Sequence, residues 1–246
     1  MPNAVDFTLL AVLVLLGIPE LLLMPALKRA LAAGSTRARP VFYAIILAFE
    51  WLFVGAIVAL WLAFGRRWDA LFLGPVAPWR LGLGLAFALI AGWLLALYNR
   101  RVVEALDPEG RAKLRKQVAA VEFFLPHTAT EHRIFKMLSI TAGICEEIIY
   151  RGFVMWVAAS YVGLLAAVPL QAIIFGLGHV YQGDNPASIG RAALKTGIAG
   201  LLLALIVVAT GSLVPGMVLH ALVDLSTGDV AHWFFQKSEA KPAFSA

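Results

Sequence analysis

Twelve residues, Ala142 to Phe153 (AGICEEIIYRGF), set two adjacent carboxylates and a guanidinium into an otherwise apolar run. An ionisable side chain at bilayer depth costs ~2.5–3.5 kcal/mol or more, so Glu146, Glu147 and Arg151 demand a reason. Glu147 and Arg151 are four positions apart, share a helix face and are expected to pair. Glu146 lies about 100° round the helix and is left without a local partner. Two later apolar stretches carry His179, in Phe175-Gly-Leu-Gly-His179, and His220, followed one turn on by Asp224. A glutamate and a histidine on one water can deprotonate it for attack on a carbonyl. A second histidine with a hydrogen-bonding neighbour can face the oxyanion that develops. Together these groups suit amide hydrolysis. Glu146, His179 and His220 also suit a divalent metal such as zinc, which would then activate the water. The helical His-Glu-x-x-His signature of zinc proteases is absent.

Helices must bring these groups to one depth. The chain is 61% hydrophobic and only 14% charged, whereas soluble domains carry roughly a quarter charged residues. The pattern predicts an all-α, polytopic membrane bundle of about seven transmembrane helices, within a range of six to eight. The expected spans are Phe7–Ala26, Val41–Phe64, Leu81–Tyr98, Ile134–Ser160, Tyr161–Tyr181, Ile189–Ala209 and Leu213–Phe235. Between the third and fourth, Asp107-Pro108 starts a helix in which Leu114, Val118, Val121 and Leu125 recur at helical spacing among basic residues, as in an amphipathic helix on a membrane surface. Thr128 with Glu131 forms a capping box that opens the fourth span. The organisation is thus residues 1–133, with three spans and the amphipathic helix; 134–235, a helical core carrying the three polar motifs; and 236–246, a short tail.

The formal charge of +5 points to basic loops beside anionic lipid rather than to nucleic acid. The first and third loops hold most of the Lys and Arg, which sets the N-terminus outside and the C-terminus in the cytoplasm. The first basic residue, Lys28, follows the first apolar run, so that run does not read as a signal peptide. The single cysteine, Cys145, excludes an internal disulfide. Small size and the lack of a large soluble domain suggest a prokaryotic inner-membrane protein. Glu20 and Glu50 read as packing or pathway groups, while His127, His132 and His232 lie in or near loops and receive no role.

The three motifs are specific. Glu146-Glu147-x-x-x-Arg151, Phe175-x-x-x-His179 and His220-x-x-x-Asp224, in this order on three spans, resemble the motifs of the CAAX protease and bacteriocin-processing family of intramembrane endopeptidases, which includes the eukaryotic CAAX prenyl endopeptidase. Thr210-Gly-Ser-Leu-Val-Pro215 resembles the family's usual lead-in to its third motif. The resemblance covers roughly Ala142 to Leu225. It implies that Glu146 is the general base, that His179 holds the same water, and that His220 and Asp224 form the oxyanion side, with Glu147 and Arg151 in support. It implies no required metal, and as substrate a membrane-anchored protein or peptide, lipidated or a bacteriocin precursor. Where the prenyl-protein enzyme has asparagine this chain has Asp224, and an ionised aspartate cannot donate to an oxyanion, so Asp224 is expected to orient His220. Two other classes use the same residues: a non-catalytic membrane scaffold or immunity protein that binds through the polar cluster, and a proton-coupled transporter relaying through Glu20, Glu50, Glu146 and the histidines. No internal repeat favours transport.

Overall fold

A computed structural model describes residues 1–16, 19–183 and 185–239, apart from the side chains of 14–22 and 238–239; among these residues the regular structure is entirely helical. In order the helices are α1 (Ala4–Leu16), α2 (Pro19–Ala32), α3 (Ala38–Ala63), α4 (Pro78–Glu104), α5 (Pro108–Val118), α6 (Ala129–Glu146), a π-helical segment (Glu147–Val154), α7 (Met155–Gly178), α8 (Pro186–Thr210) and α9 (Val214–Glu239). Short 3-10 turns occupy Trp68–Leu71 and Val180–Gln182. Among the described residues, four stretches are long and apolar enough to cross a membrane: α3, α4, the 50-residue run Ala129–Gly178, and α8.

That 50-residue run cannot be one straight helix, since it would span about 75 Å. Gly163 breaks it, with φ +76°, a conformation that costs glycine nothing. The chain doubles back there, and Tyr150 and Phe175 meet with ring centroids 4.9 Å apart. The fourth and fifth expected spans are therefore separate limbs, divided two residues beyond the expected boundary. The single span expected over Phe7–Ala26 falls on α1, described to Leu16, and α2, described from Pro19. Residues 17 and 18 between them lie outside the described residues.

Local signals elsewhere set the ends. Asp107 accepts from the Gly110 N–H ahead of Pro108, and the Thr128–Glu131 capping box is complete. Gly211, at φ +76°, closes α8. The tail expected from residue 236 is helical through Glu239, and 240–246 lie outside the described residues. The amphipathic helix forms only over α5, ending at Val118 before Val121 and Leu125 of the expected stripe, and the stripe packs on protein. Leu114, Val118 and Val121 pack against Val103, Leu125, Ala231, Phe234 and Phe235.

α6 lies between α3 and α9, α9 also packs along α4, and α7 pairs with α8. Glycines allow the close crossings. A Cβ at Gly143 of α6 would fall 2.8 Å from the Ala221 Cβ and 2.9 Å from the Met217 carbonyl of α9. One at Gly92 of α4 would fall 2.6 Å from Leu222. On the outer side of α6 and the π segment, Phe53, Val54, Ile57 and Trp61 of α3 pack against Cys145, Ile149 and Phe153. The polar residues of α6, the π segment, α7 and α9 are left to meet one another inside.

Candidate active site

The Glu-Glu motif straddles the junction of α6 and the π-helical segment. Such i→i+5 segments inside α-helices are rare and recur at functional sites. Glu147 and Arg151 still pair across one turn, Oε1 to Nη1 at 2.9 Å, with neither side chain exposed. The guanidinium also lies 4.1 Å from the centre of the Phe175 ring, a cation–π contact that strengthens away from water. Two glycines make room for the pair. A Cβ at Gly200 of α8 would come within 3.0 Å of Arg151 Nη2, and one at Gly216 of α9 within 3.0 Å of Glu147 Oε2.

α9 brings His220 onto this pair. The Nδ1–H of His220 donates to Glu147 Oε1 at 2.9 Å. A carboxylate only accepts, so the bond fixes the proton on Nδ1 and aims Nε2 the other way. Around Nε2 stand Glu146 Oε2 at 3.6 Å and Asp224 Oδ2 at 3.7 Å. Both separations are slightly longer than a hydrogen bond. Glu146 Oε2 has no hydrogen-bond partner among the described residues.

His179 closes α7. Its Nδ1–H donates to the Phe175 carbonyl at 2.8 Å, which leaves Nε2 as the acceptor. The Phe175 ring separates the two histidines, with centroids 4.7 Å from His179 and 6.1 Å from His220. Glu146, His220 and Arg151 are the charged neighbours of His179. Exposure grades across the site: the Glu147 side chain is sealed, His220 is 9% exposed, Glu146 19% and Asp224 37%. A polar path thus leads from Asp224 inward to a dry ion pair.

All six residues singled out by sequence lie in this one cluster. Two assignments shift in geometry. The bond that orients His220 comes from Glu147, on another helix, and not from Asp224 one turn along α9. Asp224 sits at the mouth instead. The ring of Phe175, which spaces the histidines and covers Arg151, received no role from sequence, although its fixed four-residue spacing from His179 puts it on the same face. Gly216 carried no local signal, because its importance lies in what crosses it. Among the pathway carboxylates, Glu50 of α3 is within electrostatic reach of Cys145, the neighbour of Glu146; the side chain of Glu20 lies outside the described residues. His127 stacks on Phe235 at 3.9 Å, and His132 on His232 at 4.4 Å, tying α9 to α6 and the segment before it well away from the site.

Among the described residues no group of three or more His, Cys, Asp or Glu side chains is arranged to hold a metal. Glu147 Oε1 is already engaged by both Arg151 and His220.

Residues 130–226 match the family model described as Type II CAAX prenyl endopeptidase Rce1-like. The matched stretch runs from the first turn of α6 to the middle of α9 and contains every residue of the cluster. It supports the family whose motifs the chain resembles, and that family points to a membrane-embedded peptide hydrolase. Comparison with curated proteins and with solved structures gives no match.

Proposed function

We propose that the chain, whose residues 130–226 match the Rce1-like type II CAAX prenyl endopeptidase model, is an intramembrane endopeptidase acting on a membrane-associated protein or peptide, CAAX-like and lipidated in the fullest form of the reading. The observation that carries it is the pairing of an unbonded Glu146 carboxylate with an oriented His220, 3.6 Å apart, at the inner end of a polar path.

In this reading a water lies against Glu146 and the Nε2 of His179. Glu146 takes one proton as the water oxygen attacks the scissile carbonyl. The oxyanion forms on the His220–Asp224 side, where Nε2 of His220 donates when the ring carries both protons. Glu147 holds that ring at Nδ1, and Arg151 holds Glu147. The C–N bond then breaks, and the proton on Glu146 passes to the leaving amine. No metal takes part in these steps.

The reading counts about seven crossings, with Ala129–Gly178 as two of them and α9 as the last. It sets the N-terminus outside and the C-terminus in the cytoplasm of a prokaryotic inner membrane, on the distribution of basic loops. The test compares cells carrying wild type and Glu146→Ala at equal expression, and records new peptide termini by mass spectrometry with and without a chelator. Termini made only by wild type, and still made with chelator, are expected. Loss of those termini with chelator would restore a metal mechanism. Identical termini together with an unchanged phenotype in Glu146→Ala would favour a binding scaffold.

A further inference from the structure

On the face of α9 turned away from the site, a second feature stands apart. α4 and α9 run side by side in the same direction. Gly84 meets Pro215, Gly92 meets Leu222, and Asn99 Nδ2 donates to Ser226 Oγ at 3.4 Å. Up to Gly92 the helices are in close contact, since a Cβ there would collide with Leu222. Beyond it the two helices flank a cavity of about 440 Å³ lined by Trp93, Ala96, Leu97, Arg100, Val230 and Trp233, with Val103, Ser226 and Asp229. That volume is within the range of ligand pockets, ~300–1,000 Å³.

The cavity lining is mostly apolar and carries two charged residues, Arg100 and Asp229. Trp93 on its edge is 62% exposed, on a helix whose outer face (Leu89, Ile90, Leu94) is equally exposed and apolar, as a lipid-facing helix is. The rim carries Arg100, whose bond to Glu104 Oε1 uses Nε. Arg111 lies over the Trp233 ring at 5.9 Å. Asp229, the one acid in the lining, is already engaged from α6, by His132 Nε2 at 2.7 Å and Lys136 Nζ at 3.1 Å. The rim therefore presents the guanidinium of Arg100, with Glu104 at its Nε and its Nη groups turned to no described acid, beside an apolar wedge flanked by two tryptophans, residues that settle at headgroup level.

We propose that this wedge is a phospholipid site: one acyl chain lies between α4 and α9 along Ala96 and Leu97, and the phosphate sits against Arg100. α9 carries His220 and Asp224 on its opposite face, so a lipid seated here braces the helix that completes the cluster. The proposal stands on the groove and its charge and does not depend on proteolytic activity.

Native mass spectrometry of the full chain in mild detergent, with added phosphatidylglycerol or phosphatidylcholine, tests it. Wild type should retain one bound phospholipid, the anionic one in preference. Arg100→Ala should weaken binding about five-fold, the effect of one arginine near an anionic lipid. Ala96→Phe, which fills the wedge, should abolish the adduct while melting like wild type in detergent alone. If Ala96→Phe melts low, Arg100→Ala, an exposed change, decides the matter. Equal lipid retention by wild type and the deciding variant would overturn the proposal. So would stabilisation by inorganic phosphate or detergent equal to that by lipid.

Discussion

Glu147 Oε1 takes the Nδ1–H of His220 at 2.9 Å and Arg151 Nη1 at the same distance, so one carboxylate oxygen couples a catalytic-type imidazole to a sealed cation. Replacing Glu147 removes both contacts. Glu147→Ala leaves Arg151 buried without a counter-charge, which costs about 3–5 kcal/mol. It should lower the melting temperature in detergent and abolish turnover. Arg151→Ala should also destabilise, by about 3 kcal/mol. An Arg151→Ala protein that melts like wild type yet is inactive would refute the structural role.

Glu146 should behave in the opposite way. Its carboxylate has one oxygen without a hydrogen bond and is partly exposed. Glu146→Gln removes a charge and strands no partner, so melting should be unchanged or slightly higher. Turnover should fall about 10²- to 10⁴-fold, the usual contribution of a general base. A Gln variant with wild-type turnover would end the assignment of Glu146 as base.

The α6–α9 crossing sets the distance across the site. A methyl at Gly143 would meet the Ala221 nitrogen at 2.8 Å and the Met217 carbonyl at 2.9 Å, both backbone atoms next to His220 in α9. Gly143→Ala must push α9 away, at a cost of about 1–3 kcal/mol for overpacking. It should reduce turnover more than it reduces melting temperature, because His220 moves with α9. Gly55→Ala, where nothing lies within 4 Å of the added Cβ, is the control.

Far from the site, Arg66 clamps Asp6 with two bonds of 2.6 Å and lies among the rings of Trp61, Phe64 and Trp156. Burial pushes the Asp6 carboxyl up, but the Arg66 and Asn3 hydrogen bonds outweigh it and hold it below its usual value. A depressed carboxylate stabilises the fold above its unfolded pKa, near 3.9, and loses that contribution as pH falls through the folded value. Wild type should therefore lose stability below about pH 4, and Asp6→Asn should show a flatter acid limb from a lower starting stability. Identical acid limbs would refute the clamp.

The sequence by itself determined which residues had to meet. Glu146, Glu147, Arg151, His179, His220 and Asp224 are too costly at membrane depth to face lipid, so helices that carry them must turn inward toward one another. It also determined local ends, because the caps at Asp107 and Thr128 and the break at Gly211 act within a few residues. Only the tertiary structure decided who holds whom. Asp224 is one turn from His220 and looked like its partner, yet Glu147 reaches the ring because Gly216 and Gly143 let α9 approach α6 and the π segment, a contact between residues 73 positions apart. The π-helical register, the Phe175 ring between the histidines and the fate of the apolar stripe of α5 belong to the same class. Each depends on the surface that arrives from another helix, and a single segment's pattern carries no record of that surface.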